Sequence, residues 1–491
     1  MKSVFQSEYR KFFFWALVLN IITAWFSLGY HHPDEHFQIL EICNYKLGNT
    51  PIADLPWEFA AKARPGLQPF IAYCFIRVFH FLGILNPFLI TFLLRLSIAL
   101  TGWFVVCKLV MLLLPDFSTP KGKKIFILLS FFLWFVPYLN ARFSSENAAA
   151  VCFLWIFYLL LKPYTSSNIK NSSFLLIGFL LGLSFFFRFQ MAFAIVGVGA
   201  WLLFIKKINW KNWLALIFAG LIAAGLCICI DRWQYGAWVF TPYHYYHVNI
   251  LENVAASSGV DPGWWYFMLF FWIAIPPLSL VLLGGFFIGT YIKPKHVFVF
   301  ALLGFLIGHA IIGHKEMRFL FPMWFAFIYL ASVGFDWCIV KYKSNKWFTY
   351  SFGFLMVLNC LMLTYRTFVP AQEAIPCFKF VYSYFKQKNT TILCVREPVF
   401  CLAGVKADFY KPKNINEIVF KDEDALASYM DTNKEDSVIV FKKTATLGNK
   451  LSSTYRNKRI YLLYPEWLLN FNFNNWIERA NVWSMYVLYK K

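Results

Sequence analysis

The chain has 491 residues, of which 59% are hydrophobic, 21% aromatic and 14% charged, and its formal net charge is +21. Soluble domains carry about 25% charged residues, so an ordinary soluble enzyme is excluded. The basic residues are scattered through short connections between apolar runs rather than gathered in one patch, which excludes nucleic acid as a partner and points to membrane orientation.

Residues 367–491 hold 30 of the 71 charged side chains, a density ordinary for a globular domain. The first 366 residues instead repeat apolar runs of 15 to 27 residues, the length that hydrocarbon as a solvent demands. The expected fold class is therefore an all-α polytopic membrane protein with a small C-terminal α/β soluble domain. The division falls into 1–366 (membrane domain) and 367–491 (α/β domain).

In chain order, a short basic segment (Lys2, Arg10, Lys11) precedes an apolar run from Phe12 to Tyr30 that lacks a small-residue cleavage site. It reads as an uncleaved first helix. Basic connections at 1–11, 115–124, 162–170, 206–211, Lys293 with Lys295, and 341–346 mark the cytoplasmic side. The alternate connections belong outside: a loop at 31–69 with three basic and five acidic residues, 140–146, a turn near Arg188, a second loop at 231–263, and the turn at 314–318. Parity then requires an odd number of crossings between 31–69 and 115–124. The short run 70–84, with Arg77 and His80, is expected to be an interfacial or re-entrant helix, and 88–114 the span. Further spans are expected near 124–139, 147–162, 174–187, 189–205, 213–230, 264–291, 297–313, 317–340 and 347–366. This makes eleven spans and puts the tail outside, with twelve the alternative. In the tail, expected strands at 391–395, 437–441 and 459–463 alternate with expected helices at 372–386 and 422–430.

Eight of the eleven cysteines precede residue 367, mostly inside apolar runs, and read as packing residues. Cys377, Cys394 and Cys401 in the tail leave room for one disulfide, and no CxxC metal signature is present. The sequon Asn389-Thr390-Thr391 lies in the tail, and Asn171-Ser172-Ser173 lies on the expected cytoplasmic side.

Ionisable groups within a bilayer cost about 2.5–3.5 kcal/mol each at its centre, so their clusters are read first for function. Four clusters fall on the expected outer side. The first runs His31-His32-Pro33-Asp34-Glu35-His36, followed by Glu41, Trp57-Glu58 and Arg64-Pro65-Gly66. Its carboxylates are placed to act as a general base on a bound hydroxyl, although Asp and Glu could also simply start a surface helix. Three histidines and two carboxylates also invite a metal, but no helical HExxH frame is present, and no metal is assigned. The second is His314-Lys315-Glu316-Met317-Arg318-Phe319, where Lys315 and Arg318 could grip a phosphate or merely snorkel to headgroups. The third comprises Tyr138, Arg142, Ser145 and Glu146, and the fourth Arg188 with Gln190. A fifth stretch, Asp231 to Gly236 through Asp261 to Tyr266, is dense in aromatics that stack on sugars or line a membrane interface.

Taken in order, HHPDEHFQILE, PWEF, RPGLQPF, ARFSSENA, IDRWQYGAWVFTPYHYYHVN, GWWYF and HKEMRFLFP resemble the signature segments of the glycosyltransferase family 22 mannosyltransferases, across residues 12–340. Within that family the chain looks most like the GPI mannosyltransferase 3 branch. The resemblance implies a GT-C fold and inverting transfer of mannose from a polyprenyl-phosphate-linked donor to a lipid-linked glycan or glycolipid acceptor, without an obligatory nucleotide sugar; no cofactor is expected. It also implies that Asp34 is the general base with Glu35 beside it. His314, Lys315, Glu316 and Arg318 would then form the donor-phosphate turn, and His32, Arg142, Arg188, Arg64 and Trp57, from the outer-side clusters, are the further candidates to bind substrate. The segment at Arg142 to Ala148 matches the family pattern loosely, which leaves Glu146 without a role. Richness in Lys, Asn and Phe favours a bacterial inner membrane, or the endoplasmic reticulum for a eukaryotic chain, with the site on the periplasmic or lumenal side. The rival readings are a GT-C transferase of another sugar or acceptor and a lipid or sugar transporter. A transporter would carry charges near the midplane and an inverted repeat, and neither is seen.

Overall fold

The computed structural model describes residues 8–162, 171–257, 259–343, 346–386, 388–402, 404–432 and 436–490. Residues 1–7, 163–170 and 344–345, parts of three of the basic segments used above to set orientation, lie outside the described residues. The chain divides into two compact units. One comprises residues 1–27, 57–77 and 92–369, the other 28–56, 78–91 and 370–491.

The first unit is helical: α1 (Arg10–Phe26), α2 (Leu67–Phe81, continuing past the unit), α3 (Pro87–Leu113, beginning before the unit), α4 (Pro120–Phe132), α5 (Val136–Asn140), α6 (Ser145–Leu161), α7 (Asn171–Phe187), α8 (Met191–Trp201), α9 (Trp210–Tyr235), α10 (Thr241–Tyr246), α11 (Trp265–Ile273), α12 (Leu278–Ile292), α13 (Val297–Ile311), α14 (Trp324–Tyr342) and α15 (Lys346–Phe368). Four helices among the described residues are long and apolar enough to cross a membrane: Pro87–Asp116, Trp210–Tyr235, Met317–Tyr342 and Thr349–Phe368. Ser145–Leu161, Ser172–Phe187, Met191–Lys206, Leu278–Ile292 and Val297–Ile311, each within a further expected span or nearly so, are shorter apolar helices, so length alone does not carry the count to eleven.

Small residues let three helix pairs pack backbone to backbone. A Cβ on Gly178 of α7 would collide with the Leu216 carbonyl of α9, and one on Gly289 of α12 with the Leu330 carbonyl of α14. A Cβ on Gly197 of α8 would likewise meet the Phe300 carbonyl of α13. Between helices in lipid, dispersion contacts of this kind replace the hydrophobic drive available in water.

Three expected spans are interrupted. The run at 124–139 breaks after Phe132, where Leu133 is extended. Asn359 of α15 satisfies both sides of the break, its Oδ1 accepting from Trp134 N–H at 2.8 Å and its Nδ2 donating to the Phe132 carbonyl at 2.7 Å. The run at 264–291 is divided into α11 and α12 by residues 274–277, which include Pro276 and Pro277. Neither proline has an N–H to continue a helix. The run at 317–340 opens as a 3₁₀ segment, Met317–Met323, containing Pro322, before α14 begins. Apolar composition extends through each interruption, which is why hydropathy reads them as continuous. At α14, buried Asp336 accepts from the Ser118 and Thr119 N–H groups at 2.7 and 3.1 Å. The Thr119 hydroxyl caps α4 by accepting from Gly122 N–H at 2.9 Å.

In the second unit the tail forms α16 (Ile375–Tyr384), β1 (Thr390–Val395), β2 (Cys401–Leu402), β3 (Val405–Lys406), β4 (Ile415–Phe420), α17 (Glu423–Thr432), β5 (Ser437–Lys442), α18 (Asn449–Thr454), β6 (Arg456–Leu462) and β7 (Ser484–Tyr489). The main sheet runs β4-β1-β5-β7-β6, with β1 parallel to β4 and β5 and β7 antiparallel to β5 and β6. Leu393, Leu426, Met430, Val440, Leu451 and Leu488 form its core. Every expected strand and helix of the tail is present, and β2, β3, β4, β7 and α18 are additional. Cys377, Cys394 and Cys401 are buried free thiols, so the disulfide that the sequence left open is not formed.

Candidate functional site

The first unit gathers charges from three distant sequence clusters around Glu146. Ser144 caps α6, its hydroxyl accepting from Asn147 N–H at 3.2 Å, which places Glu146 in the first helical turn at the favourable positive end. Arg188, in the turn between α7 and α8, donates from Nη1 to Glu146 Oε1 at 2.7 Å. Arg318 Nη1 approaches the same oxygen at 3.4 Å. All three side chains are buried. Arg318 also grips Glu316 through Nε and Nη2, the latter at 3.1 Å, and Glu316 Oε1 lies 2.9 Å from His314 Nε2. The Phe319 ring lies under both guanidinia, with centroid distances of 4.6 Å to Arg188 and 5.3 Å to Arg318.

Arg188 retains an unused donor. Its buried Nε has no hydrogen-bond partner among the described residues, and a buried donor left unmade costs about 1–3 kcal/mol. A guanidinium carries five N–H donors in a planar fork suited to phosphate oxygens. The arrangement is therefore a buried pair of guanidinia held in place by carboxylates, with one N–H donor of Arg188 left over.

Arg64 approaches this region from the loop before α2. It pairs with Glu58 at 3.6 Å and lies 5.7 Å from the Tyr245 ring, and its charge acts on Arg188. Tyr245 Oη accepts from Gln190 Nε2 at 2.6 Å. The loop is fixed from α9: Asp231 accepts from Gly66 N–H at 2.7 Å and from the Thr241 hydroxyl at 2.6 Å. Gln234 and Tyr235 donate to the Arg64 carbonyl at 3.1 and 2.6 Å. Nearby Trp57 is exposed.

Two residues assigned to substrate from sequence have other partners. Arg142 donates to the Ser27 carbonyl at 2.6 Å and lies 4.9 Å from the Tyr138 ring, to which Arg366 also approaches at 3.9 Å. Lys315 folds back on the end of α13, donating to the Ala310 carbonyl at 3.3 Å and to the Ile312 carbonyl. That is helix capping.

His32, Asp34 and Glu35 belong to the second unit. His32 Nδ1 lies 3.2 Å from Asp34 Oδ1, and Glu35 Oε1 accepts from His31 N–H at 3.2 Å. The Asp34 side chain is 22% exposed. Among the described residues no three His, Cys, Asp or Glu side chains converge in a way that could hold a metal. The residue that sequence reasoning left without a role is Glu146. Its signal was the Ser-Ser-Glu-Asn cap that fixes a carboxylate at the start of a helix.

The crystal structure of ArnT from Cupriavidus metallidurans bound to undecaprenyl phosphate shares this fold, with a TM-score of 0.52 and 11% identity over 97% of both chains. That agrees with the GT-C expectation and with a multi-pass membrane protein. The chain is 25% identical to bovine (Bos taurus) GPI alpha-1,2-mannosyltransferase 3 over 69% of its own length and 60% of the relative's. It is 26% identical to the Homo sapiens protein of the same name, over 63% and 54%. A probable Dol-P-Man:Man(7)GlcNAc(2)-PP-Dol alpha-1,6-mannosyltransferase of Schizosaccharomyces pombe matches at 26%, over 57% and 49%. The chain thus spans about half to three-fifths of the length of these relatives. The profile of the Alg9-like mannosyltransferase family matches residues 11–400, most of the sequence, and the chain belongs to that family.

Proposed function

We propose that the protein is an integral-membrane mannosyltransferase that transfers a mannosyl residue from a polyprenyl-phosphate donor to a lipid-linked glycan or glycolipid. The observation that carries the reading is the convergence of Arg188 and Arg318 on one oxygen of Glu146, with the Nε donor of Arg188 unused. A phosphate leaving group gathers negative charge as the C1–O bond breaks, and guanidinia already fixed in place stabilise that charge without reorganising. The names of the relatives support mannose as the sugar, and the undecaprenyl phosphate bound to ArnT supports a polyprenyl carrier.

In this reading Arg188 and Arg318 hold the donor phosphate, Glu146 and Glu316 orient them, and Arg64 adds positive charge. Lys315 and Arg142 support the helix end and the Tyr138 region. His314 orients Glu316, and Trp57 offers an exposed ring to a sugar face. Asp34 removes the acceptor's proton as its oxygen attacks C1 opposite the phosphate, an inverting step, and Glu35 shapes the same segment. Asp34 as base rests on the HPDE resemblance and on its accessible carboxylate. The site faces the periplasm of a bacterial inner membrane, or the lumen for a eukaryotic chain, and needs no metal.

The test is transfer of radiolabelled polyprenyl-phosphate mannose to a lipid-linked glycan extract by reconstituted protein, with Asp34→Asn and EDTA in parallel. Label should move with the wild type, with or without EDTA, and not with Asp34→Asn, which should still bind donor. Full activity of Asp34→Asn would remove it as the base, and no transfer by the wild type would overturn mannose as the sugar.

A further inference from the structure

Residues 28–56, which carry the HPDE sequence, pack in one unit with the C-terminal α/β domain. At the centre of that packing is Glu41, a carboxylate with no solvent exposure. Its Oε1 accepts from His36 Nε2 at 2.8 Å and from the backbone N–H of Phe409 at 3.0 Å. Its Oε2 accepts from the Thr50 hydroxyl at 2.8 Å, and Thr50 Oγ1 accepts in turn from Asn44 Nδ2 at 2.8 Å. One carboxylate therefore joins the start of the segment, its end, and a backbone amide of the tail.

The local backbone is shaped for this bond. His36 and Glu41 are five residues apart, which on a regular α-helix would separate them by about 140°. Residues His36–Glu41 instead form a π-helical turn, whose i→i+5 repeat brings the pair to one face. The His36 ring then stacks on Tyr410 at 5.5 Å and 10°, and Tyr410 stacks on Phe88 at 4.8 Å. Upstream, Ala371 N–H donates to the Leu28 carbonyl at 2.8 Å and Gln372 Nε2 to Tyr30 Oη at 2.9 Å. Asp34 and Glu35 immediately precede the π turn, so their position follows its register. A packing contact alone would be served by an aliphatic side chain at no desolvation cost. A triply bonded buried carboxylate specifies geometry.

Building on the reading of Asp34 as the base, we propose that Glu41 is a positioning residue: it locks the π turn, and with it Asp34, onto the C-terminal domain. That domain is thereby a working part of the transferase.

The experiment uses the full chain in lipid nanodiscs and compares wild type with Glu41→Ala, Glu41→Gln and Thr50→Val. It measures kcat and donor KM with polyprenyl-phosphate mannose, and hydrogen exchange of peptides covering 28–46. Glu41→Ala should lower kcat about tenfold or more while donor KM changes little, the pattern of a lost transition-state geometry. Glu41→Gln keeps the oxygen that receives His36 and Phe409 and should recover part of the rate, and exchange should accelerate in Glu41→Ala. Thr50→Val, which removes one of the three bonds to Glu41 together with the bond that Thr50 receives from Asn44, should fall between and serves if Glu41→Ala does not fold. Wild-type kcat in Glu41→Ala, or a loss confined to donor KM, would overturn the proposal. If the wild type transfers no mannose, the functional reading falls on its own. Exchange then decides the clamp, and unchanged protection in Glu41→Ala overturns it.

Discussion

Arg188 and Glu146 are 42 residues apart in sequence and 2.7 Å apart in space, both buried, where a guanidinium fork meets the first turn of α6. The pair sets a cation against a carboxylate in an apolar surrounding, and Arg318 extends it to a second guanidinium.

Arg188→Lys should raise donor KM about tenfold or more, because an ammonium keeps the charge but cannot hold Glu146 and a phosphate oxygen in one planar fork. Donor titration in the transfer assay checks this, and an unchanged KM would remove Arg188 from the phosphate site.

Glu146→Ala leaves two buried guanidinia without their shared carboxylate. Breaking a buried pair in this way costs about 3–5 kcal/mol. The expected result is a lower thermal midpoint in nanodiscs together with lost transfer, while Glu146→Gln should retain more of the stability than of the activity.

Asn359→Leu removes the side chain that satisfies the Phe132 carbonyl and the Trp134 N–H at the break in the α4 region. Each orphaned group costs about 1–3 kcal/mol. Thermal unfolding should report the loss, with the donor KM of the surviving protein unchanged.

Asp408 supplies a pH test. Burial pushes its carboxyl above the usual range, Glu41 and Asp54 add to the rise, and Lys411 and Lys406 oppose it. Its Oδ2 is buried and has no hydrogen-bond partner among the described residues. A carboxyl raised in the folded state contributes stability below its unfolded pKa and loses it as pH rises through the folded value. Asp408→Asn should therefore raise the thermal midpoint at neutral pH, and the gain should shrink as pH falls toward 4, the ordinary carboxyl range. A gain independent of pH would show that the ionised carboxylate is not the cause.

Much of the tail was legible because its strands alternate or run apolar between turn residues. β4 escaped notice because edge strand Ile415–Phe420 is only partly buried and carries Asn416 and Glu417. β7 escaped because Ser484–Tyr489 is apolar on both faces, with no alternation to mark it. In the membrane domain, hydropathy located the apolar runs but passed over their interruptions at Leu133, Pro276 and Pro322, since backbone geometry leaves no trace in side-chain polarity.

Sequence by itself determined the apolar body, the polar tail and the unusual ionisable clusters, including HPDE and HKEMRF, because composition and short spacing are local properties. Tertiary structure alone decided which clusters meet. Glu146 gathers Arg188 and Arg318, while Arg142 and Lys315 turn to backbone carbonyls. Glu41 bonds across 368 residues to Phe409. Each of these choices depends on which buried donor reaches which acceptor once helices and sheet have packed, and that is set by long-range geometry rather than by neighbours in the chain.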